Sequence, residues 1–169
     1  MRFVALLVSA SCWGCEVGEL PAASVDDSAL DTTALEAAAT WNQLPQINSK
    51  PYVSAVGDFD VDVFVRGDVG DFRRIHPETT GSGVTVTPGT VIVRSVLDAS
   101  GNVTKLTLMA KGPPGYDPTI GDWWFGETDR TGMPLVDNGV TQIGRLTACH
   151  TCHLPRASDD FLFGVPVGD

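Results

Sequence analysis

One stretch of the chain reads Phe59-Asp60-Val61-Asp62-Val63-Phe64-Val65-Arg66, with Phe59, Val61, Val63 and Val65 at every second position. Successive side chains of a β-strand point to opposite faces, so this period of two predicts a half-buried strand. The alternation stops at residues 67–70, which begin and end with glycine. We therefore expect a strand here, in a sheet with one face against a core.

The same reasoning predicts three further strands and one long helix. Residues 90–98 and 103–111 read as strands on either side of Ala99-Ser100-Gly101-Asn102, whose glycine and asparagine suit a tight hairpin turn. A fourth strand is predicted around residues 123–125. Residues 31–41 begin with capping residues, carry Glu36 in an early turn and are rich in alanine, which predicts a helix. The expected class is α+β, mainly β: an antiparallel sheet with a few flanking helices.

The hairpin also predicts which residues face each other. If Asp98 pairs with Val103, Arg94 lies opposite Thr107, and the two side chains share one face of the sheet. A slip of one residue would turn one strand's side chains to the other face. With this register the same face also carries Ile92, Val96, Lys105 and Met109.

Composition limits the domain count and the class of partner. The chain has 169 residues, of which 43% are hydrophobic, enough for one domain with its own core. Its formal net charge of −10 argues against nucleic acid, and favours a basic redox partner protein or a small ligand.

Residues 1–15 are typical of an export signal. Arg2 precedes a short apolar run that ends at Val8, far below the roughly 18 to 20 residues of a membrane span. Small residues then precede Cys12, as at a bacterial lipoprotein cleavage site, although Ser9 stands where an aliphatic residue is usual. A lipid on Cys12 would be the only membrane contact; ordinary cleavage would instead give a soluble periplasmic protein. Residues 16–30 are small and acidic and predict a tether, which leaves residues 31–169 as the folded domain.

Near the C-terminus the chain reads Cys149-His150-Thr151-Cys152-His153, a CxxCH pentad typical of c-type haem attachment. Two thiols three positions apart can form thioethers to the two vinyl groups of one porphyrin, while His153 holds the iron as proximal ligand. Zinc would need a second ligand pair, and the other cysteines, Cys12 and Cys15, lie in the export signal. A disulfide or redox pair is the remaining alternative. We predict one covalent haem c, with His150 as a spacer.

The strands upstream of the pentad narrow the kind of cytochrome. Small electron-transfer cytochromes carry CxxCH near the N-terminus and later supply a distal methionine, whereas only sixteen residues follow His153 here and none is methionine. The helical cytochromes c-prime keep the pentad at the C-terminus but are helical throughout. A β-sheet cytochrome remains.

Further segments agree with this conclusion and cover about residues 40 to 164 in order. They are residues 54–65, 88–94, 108–111, 115–118, 121–125, 149–153 and 160–163. In these segments the chain resembles the cytochrome P-460 family, which includes the β-sheet cytochromes c-prime. The resemblance implies an antiparallel sheet packed with helices, a haem against one sheet face, a distal site without a strong protein ligand and, frequently, a homodimer.

The resemblance also implies site residues, and this chain departs from several. Members that oxidise hydroxylamine carry a haem-linked lysine where this chain has Arg94, and a guanidinium is a poor nucleophile. They use a distal carboxylate on the next strand, where the best match is Thr107. Phe64 corresponds to aromatic residues that wall the distal side in ligand-binding relatives. Lys105 and Lys111 are the residual cross-link candidates, although surface positions are expected for both.

Two functional classes follow. In the first, an exported monohaem cytochrome binds nitric oxide or a similar diatomic ligand, transfers electrons, or does both. In the second, an oxidoreductase acts on hydroxylamine, nitric oxide or peroxide, with Arg94 stabilising negative charge. The first class is favoured, because the chain has neither the haem-linked lysine nor the distal carboxylate at the matching positions. A third, non-haem class is a periplasmic structural domain with a Cys149–Cys152 disulfide. Met109 is a candidate distal ligand of the iron, but it is interpreted as core filling, the usual role of a methionine on a strand, and Tyr116, Trp123 and Trp124 are interpreted as core or loop anchors.

Overall fold

A six-stranded antiparallel sheet forms the centre of the computed structural model, which describes residues 26–55 and 57–166. The helices are α1 (Ser28–Ala39), α2 (Val69–Arg73) and α3 (Thr147–His153), with 3-10 turns at Trp41–Gln43, Pro118–Ile120 and Leu154–Asp159. The strands are β1 (Tyr52–Val53), β2 (Asp60–Arg66), β3 (Val91–Leu97), β4 (Val103–Lys111), β5 (Trp123–Thr128), β6 (Val136–Asp137), β7 (Val140–Thr141) and β8 (Ile143–Gly144).

The sheet order is β1-β2-β3-β4-β5-β8, and β6 and β7 form a separate two-stranded ribbon. All pairs are antiparallel. The predicted class, α+β and mainly β with an antiparallel sheet, is confirmed. No helix among the described residues is long and apolar enough to cross a membrane.

The two faces of the sheet have different cores. Helix α1 covers one face through its buried alanines, which have no long side chains and so let the helix lie close to the strands. The other face is covered by α2, α3 and the C-terminal segment. Strand β5 supplies both cores because its side chains alternate: Trp124 packs on the α1 side, and Trp123 and Phe125 pack on the opposite side.

The predicted register is confirmed where it matters for the site. Arg94 pairs with Thr107, and the same register runs from Val91 to Val96. The turn differs, however, because Leu97 rather than Asp98 pairs with Val103, and the register shifts between Val96 and Leu97. A bulge of one residue therefore compensates for the mispredicted turn.

The helix begins earlier than expected. Helix α1 starts at Ser28, and Leu30 is buried in the core, so the last residues assigned to the tether belong to the folded domain. The boundary at residue 30 is therefore wrong. Residues 1–25, including Cys12 and Cys15, lie outside the described residues.

Candidate functional site

A cavity of about 580 Å³ lies on the face of the sheet opposite α1. It is lined by Cys149, Cys152 and His153 from the CxxCH pentad, and by Arg94 and Thr107 from the sheet. The fold thus brings together residues separated by more than forty positions in the chain. Its volume falls in the range of about 300 to 1,000 Å³ that is usual for cofactor and ligand sites.

Helix α3 presents both cysteines of the pentad to this cavity. Residues three apart are neighbours on one helix face, which is why Cys149 and Cys152 both reach the same space. Both thiols are free, and Cys152 is exposed. Burial, and secondarily the nearby Glu127, raise the pKa of Cys149 to about 11, so this thiol is protonated at neutral pH.

His153 is held in one orientation by its surroundings. Its Nδ1 lies 2.6 Å from the carbonyl oxygen of Phe161, and its ring meets Phe125 and Phe163 edge to face, at centroid distances of 5.3 Å each. A carbonyl oxygen can only accept, so Nδ1 carries the proton and Nε2 keeps its lone pair. Burial lowers the pKa of His153, so the ring is neutral at pH 7. A neutral imidazole with a fixed tautomer has the form in which histidine binds metals.

The Phe161 carbonyl is itself fixed by the segment that follows α3. Asp160 and Phe161 both have left-handed backbones, with φ of 52° and 63°, a conformation costly for residues other than glycine. The Asp160 carboxylate accepts from Lys111 Nζ at 2.6 and 2.8 Å, and the Asp160 carbonyl accepts from Trp123 Nε1 at 2.8 Å. The sheet therefore holds this turn in place, and with it the acceptor of His153.

On the sheet side, three polar residues form one row across neighbouring strands. Arg94 pairs with Thr107, and Thr107 pairs with Glu127, so all three side chains share the cavity face. Arg94 Nε donates to Thr107 Oγ1 at 3.0 Å, and Arg94 Nη1 donates to Ser54 Oγ at 3.0 Å. The structure thus places both predicted residues, Arg94 and Thr107, in the cavity.

Glu127 is a cavity residue that the sequence did not predict. This carboxylate lines the cavity and pairs with Lys105 Nζ at 2.8 Å. Strand β5 was predicted only around residues 123–125, although the alternation Trp123, Phe125, Glu127 could have placed Glu127 on the same face. A carboxylate thus lines the cavity one strand beyond Thr107, where none was predicted.

Phe64 does not wall the cavity, so its predicted role is also wrong. Its side chain packs on the α1 side of the sheet, with its ring 5.0 Å from that of Trp41. Its neighbour Val63 faces the cavity instead, because adjacent strand residues point to opposite faces. Phe59 is one of the aromatic residues that line the cavity, and the centroid of its ring lies 5.8 Å from the Arg94 guanidinium.

Of the other residues that were given a role from the sequence, some lie where they were predicted and one does not. Met109 lines the cavity and is buried in its core, in agreement with core filling. Tyr116, Trp123 and Trp124 are buried, as expected. Lys111, by contrast, is buried and ion-paired, so its predicted surface position is wrong. His150 packs against Phe125 at 5.4 Å between ring centroids.

Two observations on the described residues bear on the other interpretations of the cysteines. No group of three or more His, Cys, Asp or Glu side chains among residues 26–55 and 57–166 could hold a bare metal ion, as zinc would require. Cys149 and Cys152 are not joined to each other.

The chain matches no protein-family model, and neither the curated proteins nor the solved structures include a match to it.

Proposed function

We propose that this chain is an exported monohaem c-type cytochrome, of the cytochrome P-460 kind, that binds a small diatomic ligand such as nitric oxide. One observation carries the proposal: the CxxCH helix lines a cavity, and the Phe161 carbonyl holds His153 Nδ1 so that Nε2 keeps its lone pair. Transfer of electrons to a redox partner protein belongs to the same proposal.

The residues around the cavity fit a covalently bound haem. Cys149 and Cys152 would form the thioethers, and His153 would be the proximal ligand of the iron. When bound, the group supplies an iron that changes oxidation state and binds small ligands. Ile92, Met109 and Phe125 provide the apolar walls that a porphyrin plane needs.

A second candidate, an oxidoreductase acting on hydroxylamine, nitric oxide or peroxide, is favoured by Glu127. A carboxylate inside a cavity can accept protons from a substrate, and Glu127 provides one that the sequence did not predict. Lys105, 2.8 Å from Glu127, balances its charge. Turnover of hydroxylamine by wild-type protein, lost in Glu127→Gln, would favour this second candidate.

The cellular setting belongs to the same proposal. Export through residues 1–15, to the periplasm or the outer side of a bacterial membrane, would supply the compartment in which haem c is attached. A lipid on Cys12 would anchor the protein there, and homodimer formation follows from the family resemblance alone. Membrane fractionation of wild-type and Cys12→Ser protein tests the anchor, since only the wild type should stay with lipids.

The haem itself is tested by mass mapping of protein made in a host with haem c maturation. The peptide that contains Cys149 and Cys152 should carry the mass of one haem, and Cys149→Ala with Cys152→Ala should remove it. Thr151→Ala is the matched control, since it lies in the same helix and leaves the pentad pattern intact. An unmodified peptide in the wild type would contradict the proposal.

A further inference from the structure

Arg94 differs in its partners from four other arginines of the described residues, and unlike Arg73 and Arg130, which also lack a carboxylate within 4 Å, it is not exposed. Arg66, Arg74, Arg145 and Arg156 each have a carboxylate oxygen within 4 Å. Within the described parts of the chain, no carboxylate lies that close to the Arg94 guanidinium; Glu127, two strands away in the same row, favours its charge only from beyond that distance. Its two hydrogen-bond partners, Thr107 and Ser54, are neutral hydroxyls.

The guanidinium has donors to spare. Arginine carries five N–H groups, and the two hydrogen bonds of Arg94 use one on Nε and one on Nη1. The others have no acceptor among the described residues. Because Arg94 lines the cavity, these donors lie beside its free space.

The walls of this part of the cavity raise the cost of an unbalanced charge. The Phe59 ring lies 5.8 Å from the guanidinium, and Tyr52 lines the same region. Burial disfavours the charged form and lowers the pKa of Arg94, although arginine stays protonated at neutral pH. Burial also raises the pKa of Tyr52 to about 12, so its hydroxyl is a neutral donor. A partly buried cation beside a neutral donor is suited to an anion.

We propose that Arg94 is the centre of an anion subsite that binds a carboxylate or a small oxyanion such as nitrite, with the Tyr52 hydroxyl as a second donor. The ligand has two possible sources: a haem propionate, which rests on the proposed function, or a free anion from solution, which does not. Both present the same chemistry, two oxygens that share one negative charge and match the planar guanidinium.

The first arm of the test uses sodium nitrite at fixed ionic strength. Nitrite is titrated into the full-length protein, and binding is followed by calorimetry and by the NMR signal of Arg94 Nε–H. Where no propionate occupies Arg94, Arg94→Leu and Arg94→Gln should each weaken nitrite binding by at least about tenfold, the usual loss when a charged hydrogen bond disappears. Lys105→Met, which removes the cavity's carboxylate-paired cation, should change the affinity less than about twofold.

The second arm detects the propionate. The midpoint potential of the haem-loaded protein is measured as a function of pH. When a propionate ionises, the potential changes over the pH range of that ionisation, and this change is called the propionate step. If a propionate occupies Arg94, Arg94→Gln should move that step to higher pH, because the guanidinium favours the ionised carboxylate. Nitrite affinity should then be the same in wild type and variant.

The outcomes separate this inference from the proposed function. A protein that carries no haem would overturn the proposed function, while Arg94-dependent nitrite binding by that protein would still support the subsite. The inference is overturned if Arg94→Leu and Arg94→Gln change neither the nitrite affinity nor, where haem is bound, the propionate step.

Discussion

Two lysines of β4 contact carboxylates at almost the same distance in very different surroundings. Lys111 lies 2.6 Å from Asp160, and the two side chains are each 7% exposed. Lys105 lies 2.8 Å from Glu127, with side chains 34% and 31% exposed. The first pair fixes the turn that orients His153, and the second borders the cavity. The same chemistry is thus used once for rigidity and once at a surface open to ligands.

The contrast extends to the residues around each pair. In the segment after α3, Arg156 donates to the Leu162 and His76 carbonyls and pairs with Asp159 at 3.3 Å. In the cavity row, Arg94 donates hydrogen bonds only to neutral hydroxyls among the described residues. The cations beside the His153 turn, Lys111 and Arg156, are each paired with a carboxylate. In the cavity, by contrast, Arg94 is left to pair with the anion of the proposed subsite.

The largest expected effect is on the buried pair. Lys111→Met leaves the Asp160 carboxylate buried without its cation, and should lower the free energy of unfolding by about 3 to 5 kcal/mol. Lys105→Met is the matched control on the same strand, with an expected loss below about 1 kcal/mol. Urea unfolding of both variants measures the difference. Equal losses would remove the distinction between the two regions.

The next effect depends on pH. Burial alone would raise the pKa of Asp159, but hydrogen bonds from Ser82 and Gly81 and the charge of Arg156 together lower it below 3.8. The unfolded chain therefore binds this proton first as pH falls. The stabilisation is complete well above pH 3.8 and is lost as pH falls through the lower folded value.

Asp159→Asn should consequently cost about 1.5 to 3 kcal/mol at pH 7, and clearly less at pH 3. Unfolding free energies of wild type and variant at the two pH values measure this. The exposed Asp60→Asn provides a control that should show no comparable change with pH. A loss that is the same at both pH values would show that the Asp159 charge is not the cause.

A smaller effect tests the assignment of the two phenylalanines to opposite sides of the sheet. Phe64→Leu should cost about 1 kcal/mol of stability and leave nitric oxide dissociation unchanged, because Phe64 lies on the α1 side. Phe59→Leu should alter the dissociation rate, because Phe59 lines the cavity. Stopped-flow measurements on both variants decide the matter; the reverse pattern would restore Phe64 as the cavity wall.

Local patterns predicted much of this fold, and long-range contacts account for what they missed. The turn near Gly101 placed Arg94 opposite Thr107 even though the bulge at Val96 and Leu97 was not foreseen. The Lys111 and Asp160 side chains meet across 49 positions of sequence, and no local pattern indicates such a pair. Phe64 was assigned to the cavity by the family resemblance, whereas the alternation of β2 turns it to the face opposite Val63, and that face is buried as well.

The absorption spectrum of the purified ferrous protein tests the central claim most directly. A c-type haem on Cys149 and Cys152, with His153 as its protein ligand, predicts an ordinary high-spin spectrum that changes on addition of nitric oxide. With Arg94 in place of a cross-linking lysine, no strong red shift is expected. A low-spin ferrous spectrum, as ligation by Met109 would give, would contradict the open site. A strongly red-shifted spectrum would contradict the role assigned to Arg94, and a protein without haem absorption would contradict the account as a whole.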